Sequence, residues 1–180
     1  WAMTLRIYLT GAAGAGVTTL GRALASALQL PHFDVDDYYW YPSDPPYTQA
    51  RPPNERVSRL NQALADGRWV LSGSLDGWGD DVIKDVGLVV FVDTATAVRL
   101  ARVKARETQR FGARILPQGD MYATHQAFMA WVAGYETAAF AGRSRPRHEA
   151  WFAQLRQPSV RVDGSLPISN LLQQVQSRLS

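Results

Sequence analysis

The residues best suited to chemistry form a glycine-rich segment near the start of the chain, residues 11–19, with the sequence GAAGAGVTT. Phosphate-binding loops follow the pattern G-x-x-x-x-G-K-[ST], and Gly11, Gly16 and Thr18 stand at three of its fixed positions. Glycines let the backbone wrap around a phosphate group, so that N–H groups point at it and the next helix adds its dipole. A glycine-rich turn without a ligand is the alternative. The position between a predicted strand and a predicted helix favours the phosphate loop.

Valine occupies the position where the motif has lysine, at Val17. That lysine normally reaches the β- and γ-phosphates and stabilises charge during transfer. Its absence should weaken catalysis more than ground-state binding, because the backbone donors remain. Two outcomes stay open: an arginine supplies the charge from elsewhere, or the site binds nucleotide without efficient transfer. The residues predicted to bind the phosphates are Gly11, Ala13, Gly14, Ala15, Gly16, Val17, Thr18 and Thr19.

Acidic residues follow the second predicted strand, where Phe33 leads into Asp34, Asp36 and Asp37. A carboxylate at this place could accept the proton of an attacking hydroxyl group, or orient water on Mg²⁺. We therefore predict catalytic roles for Asp34 and Asp36, and we predict that Asp36 and the Thr18 hydroxyl organise the metal. A helix cap or a solvated turn is the alternative.

Short apolar runs alternate with segments of helical period along the whole chain. We predict strands over 5–10, 32–34, 69–72, 87–92 and 160–162, and helices over 18–28, 54–65, 94–109, 122–139, 148–155 and 167–179. Strands that alternate with helices imply a parallel sheet covered on both faces. The prediction is one α/β domain over residues 1–180, with two mobile inserts at 36–66 and 110–145.

Composition narrows the class of protein. A chain of 180 residues with 46% hydrophobic and 19% charged residues is long enough for one folded domain, which argues against global disorder. The absence of cysteine excludes disulfides, thiolate metal sites and a cysteine nucleophile. No apolar run is long enough to span a bilayer, and no secretory signal is visible. We expect a cytoplasmic protein.

The formal net charge is only +3, but acidic and basic residues are concentrated in different parts of the chain. The 19 basic residues comprise seventeen arginines and two lysines. Residues 34–93 carry eleven acidic and five basic side chains, whereas residues 99–161 carry eleven basic and four acidic ones. High-GC codon usage accounts for the excess of arginine over lysine, but it does not account for the segregation. Arginine forks suit phosphate and carboxylate groups.

Four arginines follow one another at spacings of three, four and four residues in the helix predicted over 94–109: Arg99, Arg102, Arg106 and Arg110. This spacing places them on one helix face. Arg114 follows in the next loop. An anion-binding face is one interpretation, and a solvated basic face is the other.

Two further groups of arginines could bind an anion. Arg51 and Arg56 flank the start of the helix predicted over 54–65, and pairing with nearby acidic residues is the competing interpretation. Arg143, Arg145 and Arg147 alternate in a predicted loop and form a second candidate anion patch.

Five segments together resemble the small phosphate-loop kinases of the adenylate kinase and shikimate kinase group. They are residues 11–19, 33–37 and 69–74, the arginine-rich segment from Arg99, and residues 162–164. The chain looks most like uncharacterised adenylate-kinase-like proteins that carry Thr-Thr in place of Lys-Ser/Thr. The resemblance implies a three-layer phosphate-loop NTPase fold with a five-stranded parallel sheet of order 2-3-1-4-5. It also implies that the inserts are an acceptor-binding arm (36–66) and a lid (110–145).

The resemblance assigns roles to the carboxylates and to two glycine loops. The sequence from Asp34 to Asp36 is similar to the shikimate kinase Asp-x-Asp, whose acids contact a hydroxylated substrate and the Mg²⁺ water shell. Gly73 matches a glycine that lets the backbone approach the substrate, although serines replace the glycines on either side. Gly164 lies in the loop whose backbone meets the adenine ring.

The resemblance also assigns roles to the arginines. Arg106, Arg110 and Arg114 match lid arginines that stack on adenine or clamp the transferring phosphoryl group. Arg51 and Arg56 match arm residues that grip the anionic group of the acceptor.

These observations predict an ATP- and Mg²⁺-dependent phosphotransferase that acts on a nucleoside monophosphate or a hydroxylated metabolite. A hydroxyl acceptor would use Asp34 as the base, whereas a phosphate acceptor would use Arg51 or Arg56 as a clamp. A nucleotide-binding protein with little or no kinase activity is the alternative, motivated by Val17. We do not expect nucleic acid or membrane partners, since lysine is scarce and no nucleic-acid reader motif is present. A monomer and a homodimer are both compatible with the sequence.

Overall fold

A parallel sheet of five strands forms the middle layer of the computed structural model, which describes residues 4–137 and 142–179. The strands are β1 (Leu5–Gly11), β2 (His32–Asp34), β3 (Arg68–Ser72), β4 (Leu88–Asp93) and β5 (Ser159–Asp163). Their order is β2-β3-β1-β4-β5, with every neighbouring pair parallel. This order confirms the predicted sheet.

Helices connect the strands. They are α1 (Val17–Leu28), α2 (Asp36–Tyr39), α3 (Pro53–Ala63), α4 (Thr96–Phe111), α5 (Tyr122–Ala133), α6 (Arg145–Ala153) and α7 (Ile168–Gln176). Single turns of 3₁₀-helix lie at Asp80–Ile83, Gly112–Ile115 and Gly134–Glu136. Within the described residues, none of the helices has both the length and the apolar character needed to span a membrane.

Each face of the sheet buries its own apolar cluster, because successive strand residues point to opposite faces. In β1, Ile7 and Leu9 pack with α1 and α7, while Tyr8 between them packs with α3 and Trp69 on the other face. The result is a three-layer α/β domain with the carboxyl ends of all five strands at one edge.

The start of α6 and the end of α5 differ from the prediction for local reasons. Helix α6 begins at Arg145, earlier than predicted, because the Ser144 side chain accepts a hydrogen bond from the Arg147 backbone N–H and proline occupies the first turn. Helix α5 ends at Ala133, where Gly134 starts a 3₁₀ turn. The last two residues of the helix predicted over 122–139 lie outside the described residues.

The two predicted inserts touch each other. Residues 36–66 contain α2, an irregular segment and α3, and residues 110–145 run from the end of α4 to the start of α6. Arg110 donates a hydrogen bond to the Tyr47 hydroxyl (3.0 Å), and Arg114 donates to the Asp44 carboxylate (2.8 Å). An arginine-rich segment therefore contacts an acidic one, in keeping with the segregation of charge along the chain.

A buried histidine makes the stability of the fold depend on pH. Burial, reinforced by the charge of Arg143, lowers the pKa of His148 to about 4, and the His148 ring hydrogen-bonds the Tyr135 hydroxyl (2.8 Å). Since the unfolded chain takes up this proton near pH 6.5, the free energy of unfolding should fall by roughly 2–3 kcal/mol between pH 7 and 4.5.

Urea unfolding of the wild type and of His148→Gln at pH 7 and pH 4.5 checks this expectation. The variant should be less stable at pH 7 and should lose less stability on acidification. Equal losses in the two proteins would show that another group controls the acid sensitivity.

Candidate functional site

The glycine-rich loop lies at the carboxyl end of the central strand. It connects β1 to α1, and Gly16 caps α1 in a left-handed conformation with φ 95°. No side chain caps this helix, so the first-turn N–H groups of α1 carry no side-chain acceptor. Free amides at a helix N-terminus suit an anion, and the glycine-rich approach keeps side chains out of their way.

Glycine is required at two loop positions because of close contacts. A Cβ atom at Gly11 would lie 2.5 Å from the Val92 carbonyl oxygen of β4. A Cβ atom at Gly14, where φ is +80°, would lie 2.6 Å from the Arg99 carbonyl oxygen of α4. The loop is therefore packed between β4 and α4, and its shape is set by backbone that cannot easily move.

The first two arginines of the α4 face hold this loop in place. Arg99 is 0% exposed and donates hydrogen bonds to the carbonyl oxygens of Thr94 (3.0 Å) and Ala13 (3.3 Å). Arg102 donates to the carbonyl oxygens of Ala15 (3.2 Å) and Gly164 (2.8 Å). The solvated interpretation of the face is wrong for Arg99, because the side chain faces the phosphate loop rather than water. Arg102 was not among the predicted site residues. Its position on the same helix face as Arg99 and Arg106 was the signal that could have identified it.

The other three arginines of this series lie farther along. Desolvation raises the pKa of Asp36, and the charge of the exposed Arg106 acts weakly against this rise. Arg110 lies beside the Tyr47 ring, with its guanidinium 5.4 Å from the ring centroid. Arg114 pairs with both Asp120 and Asp44 at 2.8 Å. Arg106 is thus the member of this group whose charge acts on Asp36.

Gly164, a predicted nucleotide-binding residue, lies beside the glycine-rich loop. Its N–H donates to the Asp93 carbonyl oxygen (3.0 Å), and a Cβ atom there would overlap Thr94 Oγ1 and the Ala15 carbonyl oxygen. Thr94 Oγ1 donates to that same Ala15 carbonyl (2.9 Å). The loop after β5 and the phosphate loop are therefore packed together as one unit.

The predicted carboxylates lie where β2 ends. The Asp34 carboxylate accepts the Asp36 backbone N–H (2.9 Å) and so starts α2, a short helix in the predicted acidic loop. Desolvation and the neighbouring Asp34 raise the pKa of Asp36, while Arg143 and Arg106 act in the opposite direction. One oxygen of Asp34 thus binds the backbone at the start of α2, and the charges of Arg143 and Arg106 act on Asp36.

Gly73 fixes the loop after β3 against these carboxylates. Its φ is +132°, and a Cβ atom there would lie 2.6 Å from Val35 Cβ. The buried Tyr8 hydroxyl donates to the Gly73 carbonyl oxygen (2.7 Å) and accepts the Leu75 N–H (3.2 Å). Burial raises the pKa of Tyr8 to about 12, so its hydroxyl stays protonated. Gly73 therefore sets the position of the β2–α2 junction.

The arginines of the first insert hold that insert together. Arg51 donates to the carbonyl oxygens of Asp37 (2.9 Å) and Trp40 (2.8 Å), and both Arg51 and Arg56 are buried. Arg56 donates to the Arg51 carbonyl oxygen (2.6 Å), and its guanidinium lies 3.7 Å from the Tyr39 ring centroid. Their predicted role in binding an acceptor stays a prediction.

Arg143 reaches the phosphate loop from the segment before α6. It donates to the Gly11 carbonyl oxygen (3.2 Å), and its guanidinium lies 5.1 Å from a Trp131 ring centroid. The predicted site residues did not include Arg143. Alternation of arginines at 143, 145 and 147 was the signal that pointed to an anion patch in this segment.

An ion-pair network anchors the segment that carries Arg143. Arg145 forks onto the Asp93 carboxylate at the end of β4 (2.8 and 3.2 Å) and also pairs with Glu136. Arg161 of β5 joins Asp93 to Glu149 of α6. The Arg145 hydrogen bond keeps the pKa of Asp93 below its usual range. The start of α6 is thereby tied to the strand ends beside the loop.

Oxygen ligands near the loop suit Mg²⁺. The candidates are the Thr18 hydroxyl in the first turn of α1 and the carboxylates of Asp34 and Asp36 at the end of β2. Mg²⁺ commonly takes one or two carboxylates together with substrate phosphates and water. Within the described parts of the chain, no group of three or more His, Asp or Glu side chains is placed to hold a metal. The donor set thus fits an ion that arrives with a polyphosphate.

Sheet order 2-3-1-4-5, with a phosphate loop between β1 and α1, defines the phosphate-loop kinase fold. A shikimate kinase from Bacteroides thetaiotaomicron superposes with a TM-score of 0.60 at 21% identity, over 97% of this chain and 98% of that one. A gluconokinase from Sinorhizobium meliloti 1021 superposes with a TM-score of 0.57 at 16% identity, over 98% and 91%. At these identities the similarity is one of fold.

A sequence relative places the chain in a family. The uncharacterized protein YqaC of Bacillus subtilis (strain 168) is 35% identical over 179 residues, which cover 99% of each protein. The chain belongs to the YqaC family. A shikimate kinase of Bacteroides fragilis (strain YCH46) is 57% identical over 37 residues, or 21% of this chain and 19% of that protein. No protein-family model matches the chain.

Proposed function

We propose that the chain binds ATP with Mg²⁺ and transfers the γ-phosphoryl group to a small-molecule acceptor, either a hydroxylated metabolite or a nucleoside monophosphate. The observation that carries this proposal is the uncapped N-terminus of α1 at the carboxyl edge of the sheet, with the Asp34–Asp36 carboxylates two strands away at the same edge. A polyphosphate and an acceptor can meet there. We also propose that the chain is related to the adenylate-kinase-like proteins.

The glycine-rich loop, the two carboxylates and Gly164 each have a place in this scheme. The loop from Gly11 to Thr19 binds the phosphates through its backbone, and the Thr18 hydroxyl and Asp36 orient Mg²⁺. Mg²⁺ held by these two side chains would supply neutralisation of the phosphate charge. Asp34 accepts the proton of an attacking hydroxyl group. Gly164 and the loop after β5 lie on the adenine side.

The inserts act as an arm and a lid in this proposal. Residues 36–66 hold the acceptor, and residues 110–145 cover the nucleotide. The contacts of Arg110 with Tyr47 and of Arg114 with Asp44 support a lid that meets the arm, because they join the two inserts directly. Exclusion of water on closure would protect the phosphoryl group from hydrolysis.

Val17 favours a second candidate function, a nucleotide-binding protein with little or no transfer activity. The backbone donors that bind ATP in the ground state do not depend on that side chain. Only measured turnover separates this candidate from the first.

A coupled assay for ADP release, run over panels of hydroxylated acids, sugars and nucleoside monophosphates, tests the proposal. Acceptor-dependent ADP release well above the ATP hydrolysis background is expected for at least one compound. ATP binding without acceptor-dependent release across these panels would favour the second candidate.

Asp34→Asn should lower kcat with a hydroxyl acceptor by about 100- to 10,000-fold, because the amide cannot accept the proton. ATP affinity should change little, since the loop donors remain. The matched control is Asp37→Asn in the same helix α2, whose side chain is exposed. An unchanged kcat in Asp34→Asn would remove the base from the mechanism, and it is the result expected if the acceptor is a phosphate.

A further inference from the structure

The side chain at position 17 lies against Gly11, the first glycine of the loop. A Cβ atom built on Gly11 would lie 3.1 Å from Val17 Cγ2. A lysine at position 17 would therefore start beside Gly11. The shorter Val17 side chain brings no charge to this place.

Arg143 brings a positive charge to the same glycine. Its guanidinium donates to the Gly11 carbonyl oxygen (3.2 Å), and the Trp131 ring supports it at 5.1 Å from the ring centroid. The cation thus arrives from the segment before α6, whereas the lysine of the motif would arrive from α1. The side chain at position 17 and the Arg143 guanidinium therefore both lie beside Gly11, at the start of the phosphate loop.

The charge of Arg143 is not consumed by an ion pair. Across residues 4–137 and 142–179, no carboxylate is paired with it, whereas Arg145, Arg147 and Arg161 from the same region each pair with one. Burial lowers the pKa of Arg143, and Asp36 and Asp76 act against that effect. An arginine stays protonated at neutral pH even so. A partly buried cation that lies at the first glycine of the loop without a carboxylate partner suits an anionic ligand.

The neighbours of Arg143 hold it in position. Ser144 is 4% exposed and caps α6, and Arg145 is clamped onto Asp93 at the end of β4. The backbone on the C-terminal side of Arg143 is therefore fixed to the sheet edge that carries the loop. A preorganised guanidinium loses less entropy on binding phosphate than a free side chain does.

We propose that Arg143 provides the positive charge to the terminal phosphate of bound ATP that position 17 lacks. The inference rests on the proposed function, since it needs a nucleotide in the loop. The planar guanidinium of Arg143 can donate two hydrogen bonds to phosphate oxygens, whereas a lysine would act as a point charge. The site then still has a cation at the phosphates, but the cation comes from Arg143 instead of from position 17.

Calorimetric titration of the full chain with ATP and with ADP, each with Mg²⁺, tests this assignment. Arg143→Met should weaken ATP binding by about 10- to 100-fold, the usual effect of losing a charged hydrogen bond, and should weaken ADP binding less. Arg143→Gln, which can keep a donor to the Gly11 carbonyl, should give the same ATP-selective loss. Thermal unfolding confirms that each variant is folded.

A second substitution separates the charge from the shape. Adding Val17→Lys to Arg143→Met should recover most of the ATP affinity, whereas adding Val17→Met, similar in length but uncharged, should not. The control is Arg178→Met, an exposed arginine that contacts Ser159 at the opposite edge of the sheet and should leave binding unchanged.

Three results would overturn the assignment while leaving the proposed function intact, provided that the wild type binds ATP. They are unchanged ATP affinity in the Arg143 variants, equal loss for ATP and ADP, and equal behaviour of the lysine and methionine double variants. Absence of ATP binding by the wild type would instead remove the proposed function, and the assignment with it.

Discussion

Arg99→Met should lower the free energy of unfolding by about 3–5 kcal/mol, the largest effect expected of any single arginine in the chain. The guanidinium is 0% exposed and serves the carbonyl oxygens of Thr94, Ala13 and Val132 as well as Thr96 Oγ1. Burial lowers the pKa of Arg99, with Glu136 opposing that effect. Methionine fills part of the space but leaves those buried carbonyl groups without a donor.

Denaturant unfolding at pH 7 measures this loss. The matched control is Lys104→Met on the exposed face of the same helix α4, which should stay within about 0.5 kcal/mol of the wild type. If Arg99→Met were as stable as Lys104→Met, the buried guanidinium would not be what holds α4 to the loop.

Gly14→Ala should weaken ATP binding by about 10- to 100-fold, because a displaced loop misplaces its phosphate donors. The added Cβ would lie 2.6 Å from the Arg99 carbonyl oxygen and 2.9 Å from Val103 Cγ2, at a φ of +80° that alanine rarely adopts. Neither the helix backbone nor a buried valine can withdraw cheaply, so the loop must move. Calorimetric titration with ATP and Mg²⁺ measures the effect.

Gly67→Ala separates backbone strain from loss of the site. Its φ is +73°, close to that of Gly14, but the atom nearest to its Cβ would be the end of the flexible Arg6 side chain, 3.1 Å away. It also lies just before β3, at the edge of the sheet opposite the loop. This variant should lose some stability and keep its ATP affinity. Equal ATP affinities for the two alanine variants would place the nucleotide away from Gly14.

Much of the fold follows from local signals. The apolar run before Gly11 and the helical period after Thr18 identify β1 and α1, and the alternation of strands and helices predicts a parallel sheet. Strand order came from the family resemblance, because no local pattern states which strands become neighbours. The early start of α6 was missed because the cap at Ser144 lies inside a run of arginines that reads as a loop.

The candidate site was less predictable, because tertiary packing decides which face of α4 meets the loop. Spacing placed the arginines from Arg99 on one helix face, and the structure places Arg99 and Arg102 of that face at the phosphate loop. Sequence spacing does not show that Arg99 is buried, that Arg114 forms an ion pair with Asp44, or that Arg106 is exposed. Burial depends on the distance between two elements far apart in sequence.

The contribution of Arg143 was hidden for the same reason. It lies 132 positions from Gly11 along the chain, and ion pairs such as that of Arg145 with Asp93 tie its segment to the end of β4. A motif search looks for lysine at position 17 and finds valine. Only the folded chain shows that a guanidinium reaches the same glycine.

Titration of the wild-type protein with ATP, in the presence and absence of Mg²⁺, tests the central claim most directly. Saturable binding at one site per chain is expected, with micromolar to submillimolar affinity that Mg²⁺ improves and Gly14→Ala weakens. Absence of binding at millimolar ATP with Mg²⁺, in a protein shown to be folded, would contradict the claim that this glycine-rich loop is a nucleotide site.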